Sequence, residues 1–484
     1  MLSYSVALLF LFLLLLEVTT SGVAAQDLSS TTCMGVCQSL VVNSSAWEAT
    51  QHGSNDYAFY DVPSNFSKDL APGKLLRVEY FTNLTTYTVP SGLSMSRIMY
   101  TTSDLNGTTL PASAYVLWPY APLSAPKLKG NQFPMVAWAH GTSGFVKACA
   151  PSSYRYLQDH FMVPFRLALE GVAVVAPDYA GLGVSSLPSG EHIGHPYLLG
   201  PAVAADLANA VIAARAAFPS QLLPDGPFVG MGHSQGGAAI WAFAERLVDK
   251  PLAGYKGTVI MAPAVGYFRL LAKQLTDLTN IFNPNLLGLQ AAVIAGVTAA
   301  FPAYNDSGLT ALGYDRFRNV VEALNGCIPT YTLATSTEDV LFNTTKPDWL
   351  SHPTVQRYAN LSETGRKKLK GPVLLLAGGL DSPIDLPNFQ STFNDTCAMN
   401  KQEKWGESLE MITYQGMNHF PMIQASSSKW LSWIKERLSG KTVAGAGCVH
   451  SVVEGYRIEF TVQGIAPNFL VGNVPIAEAW KASF

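Results

Sequence analysis

The spacing of apolar positions changes character along this chain. Residues 6–16 form an almost unbroken apolar run, and residues 26–70 are rich in Ser, Thr and Asn with weak periodicity. From Leu75 onward short apolar runs recur, bounded by Gly, Pro or Asp. Residues 75–88 and 97–100 carry the β-branched and aromatic residues of strands, and Asn106-Gly107 is a tight-turn dipeptide before the apolar run 114–118, so strands and hairpins are expected ahead of the core. Further runs at 134–139, 171–176, 227–231, 257–261, 373–377 and 409–414 are interleaved with helical stretches at 198–218, 237–247 and 427–438. That rhythm predicts an α/β fold, a mostly parallel sheet with helices on both faces.

One interval breaks the rhythm. More than 100 residues separate Met261 from Val373, far too many for a crossover, so residues 266–370 read as an inserted, mostly helical cap. Phe268, Leu271, Leu275, Leu278 and Phe282 recur there at helical spacing, followed by the apolar stretch 286–301, which Pro284 and Pro302 bound and Gly288, Gln290 and Gly296 interrupt. It reads as a buried or substrate-facing helix and not as a membrane span. The remaining division is residues 26–74 as an N-terminal arm, 75–265 and 371–440 as the two parts of the core, and 441–484 as a tail with a strand-like segment at 456–462.

The ends of the chain set the compartment. The run 6–16 and the small residues Val23-Ala24-Ala25 before Gln26 have the shape of a secretory signal over residues 1–25, and eleven apolar residues are too few to cross a bilayer. A secreted protein is therefore expected. All six cysteines lie after the signal, which favours three disulfides, and no C-x-x-C pair points to a metal. Eight N-x-Ser/Thr sequons, at Asn43, Asn65, Asn83, Asn106, Asn305, Asn343, Asn360 and Asn394, mark expected surface and glycosylation positions. Of the 484 residues 48% are hydrophobic and 13% charged, against about 25% charged in an average globular chain, which excludes disorder and coiled coil. The net charge is −3 and the longest basic run is Arg366-Lys367-Lys368, so no nucleic-acid partner is expected.

Chemistry is concentrated in one pentapeptide. Gly232-His233-Ser234-Gln235-Gly236 fits G-x-S-x-G, a pattern that this composition produces about 0.3 times by chance. Its setting is more specific, since an apolar strand precedes it and Gly236-Gly237-Ala238-Ala239 opens a helix. A serine on such a strained elbow tolerates only small residues two positions away on either side. Ser234 is the candidate nucleophile; it needs a base, and the base needs an acid to fix its tautomer. Asp381 follows the strand 373–377, with Asp385 as its rival, and His419 follows the strand 409–414, so both emerge at the carboxyl edge of the sheet. The oxyanion needs two N–H donors: the backbone of Gln235, and that of Gly141 or Thr142 in the loop after strand 134–139.

The loop His140-Gly141-Thr142 leading into Cys149-Ala150-Pro151-Ser152, the segment Val175-Ala176-Pro177-Asp178-Tyr179-Ala180-Gly181-Leu182-Gly183, His195-Pro196-Tyr197-Leu198 and the Ser234 elbow together resemble the secretory lipase family of fungi and bacteria. The resemblance covers about residues 75–440. It implies an α/β-hydrolase fold, a helical cap before the acid strand, a Ser234, Asp381 and His419 triad, and hydrolysis of acylglycerols or related esters. The expectation is a secreted serine ester hydrolase, most simply a triacylglycerol lipase or carboxylesterase working through an acyl-enzyme, with no cofactor. Its partner would be a lipid or other ester substrate, met at a lipid–water interface where that substrate is insoluble. A peptidase or acyltransferase on the same triad and a non-catalytic binding protein are the alternatives. A positional argument pairs Cys149 with Cys327, Cys397 with Cys448 and Cys33 with Cys37.

Overall fold

A computed structural model describes residues 28–53, 57–276, 284–335, 338–443 and 445–454. The expected signal at 1–25, Leu278 and Phe282 of the cap stripe, and the strand-like segment 456–462 lie outside the described residues.

The sheet has ten strands among the described residues: β1 (Leu75–Glu79), β2 (Leu93–Ser103), β3 (Thr109–Pro119), β4 (Met135–Ala139), β5 (Ala173–Pro177), β6 (Phe228–His233), β7 (Tyr255–Met261), β8 (Val373–Gly378), β9 (Ser408–Tyr414) and β10 (Gly447–Val453). They lie in the order β1-β2-β3-β5-β4-β6-β7-β8-β9-β10. β1, β2, β3 and β5 pair antiparallel, and from β5 to β10 every pair is parallel. Every residue of β4, β5, β6 and β8 is buried, because these strands are covered on both faces. A Cβ placed on Gly230 of β6 would meet Ile240 and Thr258, whereas one on Gly257, next to Thr258, would meet Trp433. Alternate residues of a strand point to opposite faces, so the helices Gln235–Asp249 and Ser427–Leu438 cover opposite sides of the sheet.

Between β7 and β8 the described chain is helical, including Tyr267–Thr276, Gln290–Ala300, Ile328–Thr335 and Pro353–Ser362. These helices build a second apolar cluster around Phe268, Leu271, Val293, Ile294, Phe317 and Tyr331, joined by Phe145, Tyr197 and Leu199 from the sheet side. The apolar stretch expected as one helix over 286–301 is two, Pro284–Gly288 and Gln290–Ala300.

Two elements were not legible in the apolar pattern. Residues 26–70, expected to be irregular, contain the helix Val36–Ala49, whose buried positions are Val41, Ser44 and Glu48. That face is mostly polar: Ser44 Oγ and Thr330 Oγ1 are 3.0 Å apart, and Glu48 accepts from the N–H groups of Cys327 (2.8 Å) and Thr330 (3.2 Å). β10 is a largely exposed strand, the last of the sheet among the described residues, held by its register with β9 and by the Cys397–Cys448 bond. The other two bonds are Cys33–Cys37 and Cys149–Cys327, the latter joining the loop after β4 to the helical insertion. All eight sequon asparagines are exposed.

Candidate active site

Ser234 stands between β6 and the helix Gln235–Asp249 with φ 58° and ψ −120°, a backbone conformation that costs a non-glycine residue about 1–3 kcal/mol. Its N–H is tied to the carbonyl of Met261 at the end of β7 (3.0 Å). The flanking glycines are required sterically: a Cβ on Gly236 would overlap the carbonyl oxygen of Ala139, and one on Gly232 would overlap that of Gly236. The side chain is thereby held off the end of the sheet.

Asp381 and His419 come together from the loops after β8 and β9. His419 Nδ1 lies 2.9 and 3.1 Å from the two carboxylate oxygens of Asp381, and both side chains are almost completely buried. The two loops are also tied to each other, Leu380 N–H donating to the Met417 carbonyl (2.9 Å) and Ser382 N–H to the side-chain Oδ1 of Asn418 (3.0 Å). The rival Asp385 is not brought to the histidine. It caps the helix Leu386–Gln402, its Oδ2 accepting from the N–H of Asn388 (2.8 Å). The His419 ring packs against His233, the residue before the elbow serine, with centroids 4.3 Å apart. Burial and the neighbouring His419 push His233 well below the ordinary histidine range, so it is neutral near pH 7.

Gly141 lies against the elbow; a Cβ on it would be 3.6 Å from both Ser234 Cβ and His233 Nδ1. The N–H groups of Gly141, Thr142 and Gln235 have no acceptor among the described residues. Thr142 Oγ1 is 2.9 Å from the Tyr197 hydroxyl. Ser234, Gln235, Thr142, Tyr197 and Leu198 line one wall of a small pocket. Tyr267, Leu270, Leu286 and Leu289 of the helical insertion form another wall, and Pro383, Ile384 and Asp385 a third.

The structure thus brings Ser234, Gln235, Gly141, Thr142, Asp381 and His419 to one sheet edge. The apolar pattern did not single out Tyr197 or His195. His195 is 4% exposed and its Nε2 faces the Gln235 side chain at 2.8 Å. Its loop folds back onto the elbow through contacts distant in sequence, and the motif His195-Pro196-Tyr197-Leu198 was the only signal.

Comparison places this fold among known proteins. No curated protein matches the chain in sequence. Among solved structures, lipase A of Candida antarctica in its closed state superposes with a TM-score of 0.62 at 17% identity, over 82% of this chain and 88% of that one. The rice cell wall degrading esterase LipA of Xanthomonas oryzae gives a TM-score of 0.55 at 18% identity, over 76% and 99%. A putative hydrolase of Legionella pneumophila gives 0.57 at 15%, over 76% and 98%. At these identities the likeness is one of fold. A family model for alpha/beta hydrolases matches residues 136–427, a stretch that runs from β4 past the elbow and both partner loops to His419 and beyond. With that match over more than half of its length, the chain belongs to the alpha/beta hydrolase family.

Proposed function

We propose that the chain is a secreted serine ester hydrolase of the lipase or carboxylesterase type. The observation that carries the reading is the two-oxygen contact of Asp381 with His419 Nδ1 beside the strained Ser234 elbow. In that arrangement Asp381 holds the imidazole with its Nδ1 protonated, leaving Nε2 as the base for the Ser234 hydroxyl. Ser234 Oγ adds to the ester carbonyl while His419 takes its proton. The resulting oxyanion meets the N–H of Gln235 and that of Thr142, which lines the pocket, with Gly141 as the alternative donor. The ester C–O bond then breaks, His419 returns the proton to the departing alcohol, and water hydrolyses the acyl-enzyme by the same two steps.

The apolar pocket wall supports an acyl chain as the group that is bound, since Tyr267, Leu270, Leu286 and Leu289 offer it carbon contacts. We read residues 266–370 as a cap over the site on the same ground. Export is supported by the signal-like residues 1–25, by three disulfides and by eight exposed sequons. The names of the two characterised structural neighbours, a lipase and an esterase, agree with this reading.

A fluorophosphonate probe tests it. The purified protein should be labelled at Ser234, as read by peptide mapping, and labelling should abolish hydrolysis of p-nitrophenyl esters. Capture at a different serine, or ester hydrolysis unaffected by the probe, would overturn the assignment.

A further inference from the structure

Three buried rings form a column beside the elbow. His140 lies 4.0 Å from Tyr179 with planes 17° apart, and Tyr179 lies 5.9 Å from His195 with planes 8° apart. Each end of the column meets a segment that carries a proposed oxyanion donor. At one end, His140 immediately precedes Gly141 and Thr142, and the Tyr179 hydroxyl donates to the His140 carbonyl (2.9 Å). At the other end, His195 Nδ1 faces the carbonyl of Ala180 (3.1 Å) and Nε2 faces Nε2 of Gln235 (2.8 Å).

The proton positions follow from donor and acceptor chemistry. A backbone carbonyl only accepts, so His195 carries its proton on Nδ1 and its Nε2 is an acceptor. The atom facing it must then be the amide nitrogen of Gln235, which donates. Burial pushes His195 down to about 4, so the ring stays neutral and keeps this role at pH 7. His195 and Gln235 are 4% and 3% exposed, and a bond between two such buried groups is costly to leave unmade. Gln235 is the first residue of its helix, directly after the strained serine, and its backbone N–H has no acceptor among the described residues.

We propose that His195 is a positioning residue: by accepting from the Gln235 amide it holds the first turn of the elbow helix, and with it the oxyanion N–H, in register with the donor loop at the far end of the ring column. The inference rests on Ser234 being the nucleophile. It gives His195 a task in the transition state and none in binding the acyl group, because His195 does not line the acyl pocket.

The test uses p-nitrophenyl butyrate and the variants His195→Leu, Gln235→Met, their double, His195→Gln and Ser234→Ala, each with its thermal unfolding recorded. His195→Leu should lower kcat on the order of 100-fold with KM within about two-fold, the scale expected of a group displaced by about 1 Å. Gln235→Met should lower kcat to a similar degree, and the double variant should lose no more than either single one, since both sever one bond. His195→Gln, whose side-chain oxygen can accept from Gln235, should regain most of the rate. A wild-type kcat in a folded single variant, a loss confined to KM, or losses that multiply in the double variant would each overturn the inference. If His195→Leu does not fold, the kcat of Gln235→Met decides by the same criterion. Ser234→Ala separates the two levels: an inert Ser234→Ala beside a fully active His195→Leu overturns this inference alone, whereas turnover by Ser234→Ala overturns the nucleophile and the inference with it.

Discussion

Two aspartates four residues apart in the loop after β8 do different work, and the difference lies in what each carboxylate faces. Asp381 faces the imidazole Nδ1 of His419 within 3.1 Å at both oxygens, while Asp385 accepts from Asn388 at the start of its own helix. In the proposed mechanism Asp381→Asn removes the charge that stabilises the imidazolium and lets the histidine adopt the wrong tautomer. A loss on the order of ten-thousand-fold in kcat is expected. Asp385→Asn should leave kcat near wild type and stability within a few tenths of a kcal/mol, because asparagine caps helices about as well as aspartate. Steady-state kinetics on a soluble ester, with a denaturant melt for each variant, reads both effects. The reverse ranking would move the acid to Asp385. The elbow could be read from the chain because G-x-S-x-G is a steric requirement confined to five consecutive positions, and Asp381 and His419 could be singled out as candidates because each follows a short apolar strand. The ring column could not, because His140, Tyr179 and His195 lie in three separate segments and meet only through the folded sheet.

At the scale of elements, the strands β4 to β9 were legible because full burial, or burial of all but a few residues in β7 and β9, makes each a short apolar run between breakers. The helix Val36–Ala49 was not, since of the positions it buries only Val41 is apolar, and Ser44 and Glu48 are satisfied by hydrogen bonds to Cys327 and Thr330, which carry no apolar period. The helical insertion shows a finer distinction. Leu289 lines the pocket beside Ser234, whereas Val293, one helical turn on, is completely buried in the insertion's own cluster and does not line the pocket. A charge at each site therefore tests a different thing. With each buried methylene of substrate contributing about 0.8 kcal/mol, kcat/KM should rise several-fold per two carbons until the pocket is full. Leu289→Asp should then reduce the ratio of octanoate to acetate hydrolysis by at least about ten-fold in a protein that still folds. Val293→Asp should instead destabilise the insertion, seen as a lowered Tm, with no selective change in that ratio. Equal losses on both esters in folded Leu289→Asp would place the acyl chain elsewhere.

On the scale of the whole molecule, burial of ionisable groups sets how the fold responds to pH. His140 is pushed down to about 3, His160 and His195 to about 4, and His233 well below its ordinary range, all chiefly by burial. A histidine whose pKa is lowered by folding contributes stability that is present above its ordinary value near 6.5 and is lost as pH falls through the folded value. Glu48, Asp159, Asp206 and Glu245 behave oppositely, since burial pushes each up to about 7. A carboxyl raised in this way contributes stability that is present below about 4.5 and is lost as pH rises through 7. Between about pH 4.5 and 6.5 the two sets oppose one another. Outside that window only one set acts on each side, the carboxyls above and the histidines below. The expected profile is a plateau of Tm from about pH 4.5 to 6.5, with a decline through pH 7 to 8 and another below pH 4. Thermal unfolding followed by far-UV circular dichroism from pH 3 to 8.5 measures it. Glu245→Gln provides the internal control, because its carboxyl accepts from the Gly365 N–H (2.7 Å) and the amide oxygen can keep that bond while removing the titration. The variant should lose part of the alkaline decline and leave the acid flank unchanged. A Tm that climbs steadily from pH 4.5 to 8, or an alkaline flank identical in the variant, would mean that these carboxyls are not held protonated by the fold.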